Sequence, residues 1–233
     1  MNDKLKEKRE LIEFFLECQA LQFGSFTLKS GRVSPYFFNS ARFDTGLRLK
    51  RLGEYYARAI AGAAPEVTIV FGPAYKGIPL CTAAAAALGQ MPGRAGTGYL
   101  FNRKEAKGHG DKGMFVGRIP GPQDRLVLVD DVITDGETKW EAVQALRESF
   151  AAPLDALVIA LDRMEQDPRG EDAVRRFEER SGVPVVSLLT LAELEEALLG
   201  WGAGAAGPKQ GPALDPGLAG EISAYRKRYG VRR

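Results

Sequence analysis

Three unbroken runs of apolar, mostly β-branched residues constrain the fold of this chain more than any other feature. They occupy residues 67–71, 126–129 and 157–161. Runs of this kind are typical of strands buried on both faces, as in a parallel sheet. Each is followed by a segment that we predict to be helical, at 77–88, 136–149 and 171–180. This alternation predicts an α/β fold with a central, mostly parallel sheet flanked by helices.

The rest of the chain adds shorter elements. An amphipathic helix is expected to open the chain and to include Leu11 to Leu21, and further helices are expected at 47–60 and 191–199. Short strands are expected at 26–28, 36–39 and 185–189. The Gly/Ala/Pro-rich stretch 200–216 predicts a flexible connector, followed by a last amphipathic helix at 217–233. We expect a single domain over 1–233, with an N-terminal part at about 1–45 and a core at 64–190.

Composition narrows the chemistry. The chain has 32 Lys+Arg against 30 Asp+Glu, so it lacks the basic excess that nucleic-acid binding would predict, although a sum can hide a local cluster. One His and two separated cysteines, Cys18 and Cys81, argue against a zinc site or a Cys–His nucleophile. Any metal would be a hard cation held by carboxylates or by the substrate. No targeting or membrane-spanning segment is recognisable, so we expect a cytoplasmic protein without a membrane partner.

The most informative motif follows the second apolar run. Asp130 and Asp131 end that strand, and the Thr/Gly-containing loop 134–138 leads into the next helix. Ligands of open α/β sheets bind at the carboxyl ends of strands, and the loop's N–H groups and hydroxyls suit a phosphate. Carboxylates beside that phosphate need sugar hydroxyls or a cation, which indicates a phosphorylated sugar with Mg²⁺. The alternative is an Asp-rich turn that only caps a helix.

Two other segments carry cations. Lys76 lies in the Gly- and Pro-flanked loop 71–79, where it either faces a ligand at the sheet edge or is a solvated turn residue. Segment 101–113 has four Lys/Arg and three glycines, which predicts either a lid that closes over a polyanion or a solvated charged loop. His109 lies in this segment and is either a surface residue or part of the phosphate site.

Together these motifs resemble those of the type I phosphoribosyltransferases, and specifically of the orotate phosphoribosyltransferase family. Residues 130–138 resemble the family's motif for phosphoribosyl pyrophosphate (PRPP), and segments 26–39, 71–79 and 101–110 resemble those of the orotate enzymes. The resemblance covers nearly the whole chain. It implies the type I phosphoribosyltransferase fold with a small N-terminal hood. It also implies Mg²⁺-dependent transfer of the 5-phosphoribosyl group from PRPP to N1 of orotate, giving orotidine 5'-phosphate and pyrophosphate in pyrimidine (UMP) biosynthesis.

The resemblance implies roles for individual positions. Those implied to bind PRPP are Lys29, Tyr75, Lys76, Arg103, Lys104, Lys107, His109, Asp130, Asp131, Val132, Ile133, Thr134, Asp135, Gly136, Glu137 and Thr138. Those implied to be catalytic are Lys104, Lys107, His109 and Asp131, and those implied to contact orotate are Phe37, Phe38, Thr134 and Arg163. Asp130 and Asp131 would meet the ribose hydroxyls and, mostly through substrate and water, the metal. The lid would close over the partner subunit's site, which implies a homodimer.

Glu137 departs locally from what a phosphate loop needs, because an inward carboxylate would repel the 5'-phosphate. We expect it to face solvent with only its backbone N–H engaged, and Asp135 adds a second charge nearby.

Other functions compete with orotate transfer. A purine or uracil phosphoribosyltransferase would keep 130–138 but has no reason to keep Lys29, Phe37 and Phe38. A non-catalytic PRPP-sensing regulator could dispense with the Lys/His lid and would usually add a nucleic-acid-binding element. A Mg²⁺-dependent phosphohydrolase could use the Asp pair, but a lid that excludes water argues against it.

Overall fold

The structure is a computed structural model that describes residues 3–28, 31–103, 113–167, 169–202 and 217–231. The helices in this part of the chain are α1 (Asp3–Glu17), α2 (Gly46–Ala63), α3 (Gly77–Gly89), α4 (Glu137–Ser149), α5 (Ala173–Ser181), α6 (Leu191–Gly202) and α7 (Leu218–Tyr229). The strands are β1 (Leu21–Thr27), β2 (Val33–Phe38), β3 (Ile69–Gly72), β4 (Gly98–Asn102), β5 (Phe115–Gly117), β6 (Leu126–Val132), β7 (Leu154–Asp162) and β8 (Val185–Thr190). A 3₁₀ turn spans Ser40–Arg42.

The predicted α/β fold with a mostly parallel central sheet is confirmed. The six-stranded sheet has the order β5-β4-β3-β6-β7-β8, and a separate antiparallel pair is formed by β1 and β2. Strand β3 pairs in parallel with both β4 and β6, and β5 runs antiparallel to β4. The three apolar runs form β3, β6 and β7, and Ile69, Val127 and Ile159 are fully buried within them.

The strand order reverses at β3, and this places the site. From β3 the chain passes through α3 to β4 on one side, and it later returns to β6 on the other side of β3. Connections that leave in opposite directions open a crevice outside the carboxyl ends of the two strands, where open α/β sheets bind ligands. The loop after β3 and the loop after β6 therefore flank the expected binding position.

The prediction that the first amphipathic helix includes Leu21 is wrong, because the helix ends before that residue. Helix α1 ends at Glu17, the backbone of Gln19 takes a positive φ of 55°, and Leu21 begins β1. Leu21 is 1% exposed, so its spacing matched the buried helix positions although it belongs to a strand. Strands β4 and β5 were not anticipated, because neither carries a long apolar run.

The described chain divides into two compact units. The first comprises Met1–Phe43, Leu161–Ala173 and Leu189–Arg233, and the second comprises Asp44–Ala160 and Val174–Leu188. The segment expected as an N-terminal part thus groups with the C-terminal helix α7 rather than standing alone. Helix α6 continues to Gly202, three residues into the stretch expected as a connector, because its Ala- and Leu-rich turns favour helix. Residues 203–216 of that stretch lie outside the described residues.

Candidate active site

Two glycines in contact shape the loop after β3. A Cβ on Gly72 would lie 2.0 Å from the carbonyl oxygen of Gly77, and one on Gly77 would lie 2.7 Å from the carbonyl carbon of Gly72. No side chain larger than hydrogen fits at either position, so the chain folds back tightly and α3 begins directly after Lys76. The Ala74–Tyr75 peptide bond within the loop is cis, and the Tyr75 side chain is exposed.

This loop brings Lys76 to the end of β6. Lys76 Nζ lies 2.8 Å from Asp131 Oδ2, and the lysine side chain is 64% exposed whereas that of Asp131 is 7% exposed. Asp131 Oδ1 accepts a hydrogen bond from the backbone N–H of Val132 at 2.8 Å. A largely exposed ammonium thus stands over a buried carboxylate at the switch point, where an anionic ligand can reach the lysine.

The second carboxylate has a different cation. Lys139 Nζ lies 2.7 Å from Asp130 Oδ2, and both side chains are about nine-tenths buried, at 11% and 10% exposure. Consecutive strand residues point to opposite faces, so Asp130 and Asp131 meet different lysines. Tyr56 of α2 adds a hydrogen bond at 2.7 Å from its hydroxyl to the Asp130 carbonyl oxygen.

Burial has the largest effect on the protonation of Asp130. Burial raises the pKa of Asp130 above its ordinary value, the ion pair with Lys139 opposes the rise, and the carboxylate of Asp131 adds to it. The pKa of Tyr56 is also raised, by burial and then by the two carboxylates. The ion pair with Lys139 therefore favours the charged form of Asp130.

The predicted phosphate loop 134–138 runs into the first turn of α4, which begins at Glu137. Gly136 has φ +77°, a conformation that favours glycine, and it is the residue directly before the helix. Thr134 and Thr138 are exposed, as the predicted cradle requires, whereas Ile133, which was also implied to bind PRPP, is buried. The Asp135 carboxylate accepts a hydrogen bond from the Glu137 N–H at 3.2 Å.

Glu137 is not simply turned to solvent, as the sequence led us to expect. Its carboxylate pairs with two arginines of α5, at 2.8 Å to Arg180 and 3.5 Å to Arg176. The side chain is 38% exposed. The expectation that its backbone N–H alone would be engaged is therefore wrong, because α5 supplies cations that the local sequence could not indicate.

A second polar cluster lies in the first unit, around Arg163. The Tyr36 hydroxyl donates to Glu165 Oε1 at 2.7 Å, Arg163 Nη2 lies 2.9 Å from the same oxygen, and Arg163 Nε donates to the Tyr36 oxygen at 3.3 Å. Burial opposes the charge of Arg163, but the oxygens of Tyr36 and Glu165 more than compensate and raise its pKa. Arg163 is thereby fixed as a cation.

The predicted orotate residues are divided between the units. Phe37, Phe38 and Arg163 lie in the first unit and Thr134 in the second. Phe37 is 39% exposed and stacks on Phe26 at 5.5 Å between ring centroids. Phe38 instead packs at 5.2 Å against Phe15 of α1.

Several predicted residues cannot be placed. Lys29, Lys104, Lys107 and His109 lie outside the described residues, and with them most of the predicted lid. Arg103 lies at the end of β4, where its backbone N–H donates to the Met114 carbonyl oxygen at 2.7 Å. Sequence reasoning missed the roles of Lys139, Tyr56 and the α5 arginines. Only Lys139 carried a signal, namely its position one residue after the phosphate loop.

The carboxylate pair suits Mg²⁺ only in combination with a substrate. Within the described ranges no three His, Cys, Asp or Glu side chains group to hold a metal. Asp130 and Asp131 supply hard oxygen donors, and Mg²⁺ is usually held by one or two carboxylates plus substrate phosphates and water. The residues present fit a metal that arrives with PRPP.

The fold and this arrangement define a class of protein. An open sheet whose switch point carries an Asp pair, a facing lysine and a phosphate loop is the architecture of a type I phosphoribosyltransferase, and solved structures of this class match the fold. A crystal structure of orotate phosphoribosyltransferase from Francisella tularensis is 33% identical, with a TM-score of 0.79 over 95% of this chain and 100% of that chain.

Sequence relatives identify the family within this class. Orotate phosphoribosyltransferase from Nitrosococcus oceani is 45% identical over 97% of this chain and 96% of the relative, and that from Chromohalobacter salexigens is 44% identical over 97% and 95%. No protein-family model matches the chain. The chain belongs to the orotate phosphoribosyltransferase family, enzymes that transfer the 5-phosphoribosyl group of PRPP to orotate in pyrimidine biosynthesis. Among the described helices, none has the length and apolarity to cross a membrane.

Proposed function

We propose that the orotate reaction takes place at the carboxyl ends of β3 and β6, with PRPP held between the loop that carries Lys76 and the phosphate loop 134–138. The observation that carries the proposal is the 2.8 Å contact between Lys76 and Asp131, which joins two separate predicted PRPP motifs at the switch point. In this assignment Asp130 and Asp131 bind the ribose hydroxyls. The loop backbone and the hydroxyls of Thr134 and Thr138 bind the 5'-phosphate.

The charges at this site suit the reaction. Breaking the bond between C1 of the ribose and the pyrophosphate oxygen leaves positive charge on the sugar and negative charge on the leaving group. Lys76 offers an exposed ammonium to that developing negative charge, and Asp131 holds the ammonium in place. Orotate arrives as an anion, so the site does not need a strong general base.

Mg²⁺ is the proposed metal. When bound, it supplies further positive charge at the pyrophosphate, and Asp130 and Asp131 contact it mostly through substrate and water. We expect removal of the metal with EDTA to abolish turnover and an excess of Mg²⁺ to restore it. Full activity in EDTA would refute the metal assignment.

Orotate recognition is assigned to the residues predicted from the sequence. The Arg163 guanidinium, held by Tyr36 and Glu165, is proposed to bind the orotate carboxylate, and Phe37 and Phe38 to contact the base. Thr134 is proposed as a further orotate contact. The discriminating measurement is the KM for orotate, which we expect Arg163→Met to raise while the KM for PRPP stays unchanged.

The direct test uses the intact protein with PRPP, orotate and Mg²⁺. Loss of orotate absorbance with stoichiometric release of pyrophosphate supports the assignment. No consumption of orotate, with turnover of uracil or hypoxanthine instead, would refute it.

We further propose a homodimer in which Arg103, Lys104, Lys107 and His109 belong to a lid that acts on the partner subunit's site. Subunits with Lys107→Ala, mixed with subunits carrying Asp131→Ala, are expected to recover activity that neither parent has. No recovery in the mixed dimers would show that the lid does not act across the interface. A cytoplasmic location is proposed because both cysteines are buried thiols, as expected in a reducing compartment.

A further inference from the structure

The phosphate loop of this chain carries two acidic residues, which its proposed ligand should not tolerate. Asp135 and Glu137 flank Gly136, so two carboxylates stand within the segment proposed to bind the dianionic 5'-phosphate. Like charges at close range disfavour binding unless a cation neutralises them or the side chains turn away. For Glu137 the structure supplies both remedies through one neighbouring helix, and the Asp135 carboxylate accepts a hydrogen bond from the Glu137 N–H.

Helix α5 faces the loop with two arginines. Arg176 and Arg180 are four residues apart and therefore lie on one face of the helix. Arg180 Nη1 lies 2.8 Å from Glu137 Oε2, and its guanidinium stacks over the Trp140 ring at 4.2 Å. Arg176 Nη2 reaches the other Glu137 oxygen at 3.5 Å and also donates to the Asp135 carbonyl oxygen.

The first turn of α4 separates this contact from the ion pair of Lys139 with Asp130. Glu137 and Lys139 are two residues apart, so they project about 200° apart around the helix. Lys139 turns to Asp130, whereas Glu137 and Trp140 turn to α5. The Glu137 charge is thereby drawn away from the side of α4 on which Asp130 lies.

The contact from Arg176 to the Asp135 carbonyl orients the loop backbone. In a trans peptide the C=O and the following N–H point in opposite directions, so a carbonyl held towards α5 directs the Gly136 N–H away from α5. The positive φ of Gly136 lets the chain enter α4 from this orientation. The peptide group held by Arg176 therefore presents its donor to the side opposite the arginines.

We propose that Arg176 and Arg180 are positioning residues for the 5'-phosphate of PRPP. Arg176 sets the direction of the Gly136 N–H, and the two arginines together neutralise Glu137 and hold it away from the phosphate. Neither arginine touches the substrate in this assignment. The inference rests on the proposed phosphate site at 134–138 and adds to it the reason that the loop can contain a glutamate.

The test is a set of variants in which the effect of the arginines depends on Glu137. Arg176→Ala with Arg180→Ala is expected to raise the KM for PRPP about tenfold, a change of about 1.4 kcal/mol. The KM for orotate is expected to stay within about twofold, because a phosphate contact alone has been weakened. Adding Glu137→Gln to this double variant is expected to recover part of the loss, since the exposed negative charge is removed, whereas the contact of Arg176 with the Asp135 carbonyl is not restored.

A matched control lies on the same helix. Arg175 pairs with Glu179 at 2.8 Å on an exposed face, so Arg175→Ala removes the same guanidinium from α5 without touching the loop. We expect no change in either KM for Arg175→Ala. Arg176→Lys keeps the charge and one donor, and it is expected to fall between wild type and Arg176→Ala. Thermal unfolding of each variant separates loss of folding from loss of binding.

Two results would overturn the positioning role. One is a KM for PRPP in the double variant that equals that of wild type. The other is an increase that Glu137→Gln does not reduce, because the arginines would then act independently of the glutamate. Equal losses in both KM values and in thermal stability, again unrelieved by Glu137→Gln, would assign the arginines a merely structural role.

A binding measurement distinguishes this inference from the function on which it rests. Ribose 5-phosphate carries the 5'-phosphate without the pyrophosphate, and its affinity can be measured by calorimetry without any turnover. If wild type does not convert PRPP and orotate, the proposed function fails. The positioning role then still stands if the double variant binds ribose 5-phosphate about tenfold more weakly than wild type and Glu137→Gln recovers part of that loss. Equal affinity for all of these proteins would refute it.

Discussion

The Lys139–Asp130 pair gives the sharpest prediction about stability. Two unit charges 2.7 Å apart attract each other by about 6 kcal/mol at an effective dielectric constant of about 20. Lys139→Met keeps the apolar stem and removes the ammonium, so a buried carboxylate loses its cation. Removing one partner of a buried pair typically costs about 3–5 kcal/mol of folding free energy.

Protonation of Asp130 limits this cost and makes it depend on pH. An aspartate with an ordinary pKa of about 3.9 takes up a proton for about 4 kcal/mol at pH 7 and about 1.5 kcal/mol at pH 5. In the variant, burial and Asp131 still raise the pKa of Asp130, and only the hydrogen bond from the Asp131 backbone N–H remains to oppose them. The folded-state pKa of Asp130, already above its ordinary value in wild type, then rises further. Relative to wild type, the deficit is therefore absent below the wild-type folded-state pKa and grows as pH rises towards the higher folded-state pKa of the variant.

Urea unfolding followed by circular dichroism at pH 5 and pH 7 measures this deficit. We expect a loss of at most about 3–4 kcal/mol at pH 7 and at most about 1.5 kcal/mol at pH 5, with an unchanged dependence on urea concentration. The control is Lys50→Met, which breaks an exposed pair with Glu54 and should cost less than about 1 kcal/mol. Adding Asp130→Asn to Lys139→Met should restore most of the stability. A deficit below about 1 kcal/mol at pH 7, or one equal at both pH values, would refute the reasoning.

Three further predictions concern single side chains. Lys76→Ala should lower kcat about 100-fold without unfolding the protein, because the exposed ammonium is proposed to contribute about 3 kcal/mol at the leaving group. Steady-state kinetics measure the change in kcat, and a thermal melt shows that the variant is folded. An unchanged kcat would contradict the prediction. Burial raises the pKa of Cys81 to about 12, so iodoacetamide at pH 8 should modify the Cys81 thiol in urea but not in the folded protein. Mass spectrometry measures the modification, and rapid alkylation of the folded protein would contradict the prediction. Burial raises the pKa of Tyr225 to about 12, whereas an unfolded tyrosine ionises near about 10. Stability should therefore fall as pH rises from about 10 to 12, and Tyr225→Phe should reduce that fall in urea titrations; an identical slope in the variant would contradict it.

The sequence was informative wherever the signal is local. An unbroken β-branched run can satisfy its burial only in the middle of a sheet, so β3, β6 and β7 could be recognised without knowing their neighbours. Short strands such as β4 and β5 carry too few apolar residues to be recognised in this way. The position of Leu21 fitted the spacing of a helix as well as that of a strand. These errors all concern segments where burial depends on which element packs nearby.

The candidate site shows the same division. Asp130, Asp131 and the loop 134–138 are contiguous, and their order along the chain was enough to indicate a phosphorylated sugar. Lys76 was noticed as a loop lysine, but its position over Asp131 depends on β3 and β6 being neighbours. Lys139 could be recognised as the partner of Asp130 only from the direction in which the first turn of α4 faces.

By itself, the sequence determined the fold class, the strands that end at the site and the kind of ligand, because periodicity and adjacent side chains express local physical preferences. Only the tertiary structure decided the partners of the charges. Arg180 is 43 positions from Glu137, and no spacing rule connects them. The packing of α5 beside α4 brings the two side chains together, and it is our proposed reason that the predicted phosphate loop can carry a glutamate.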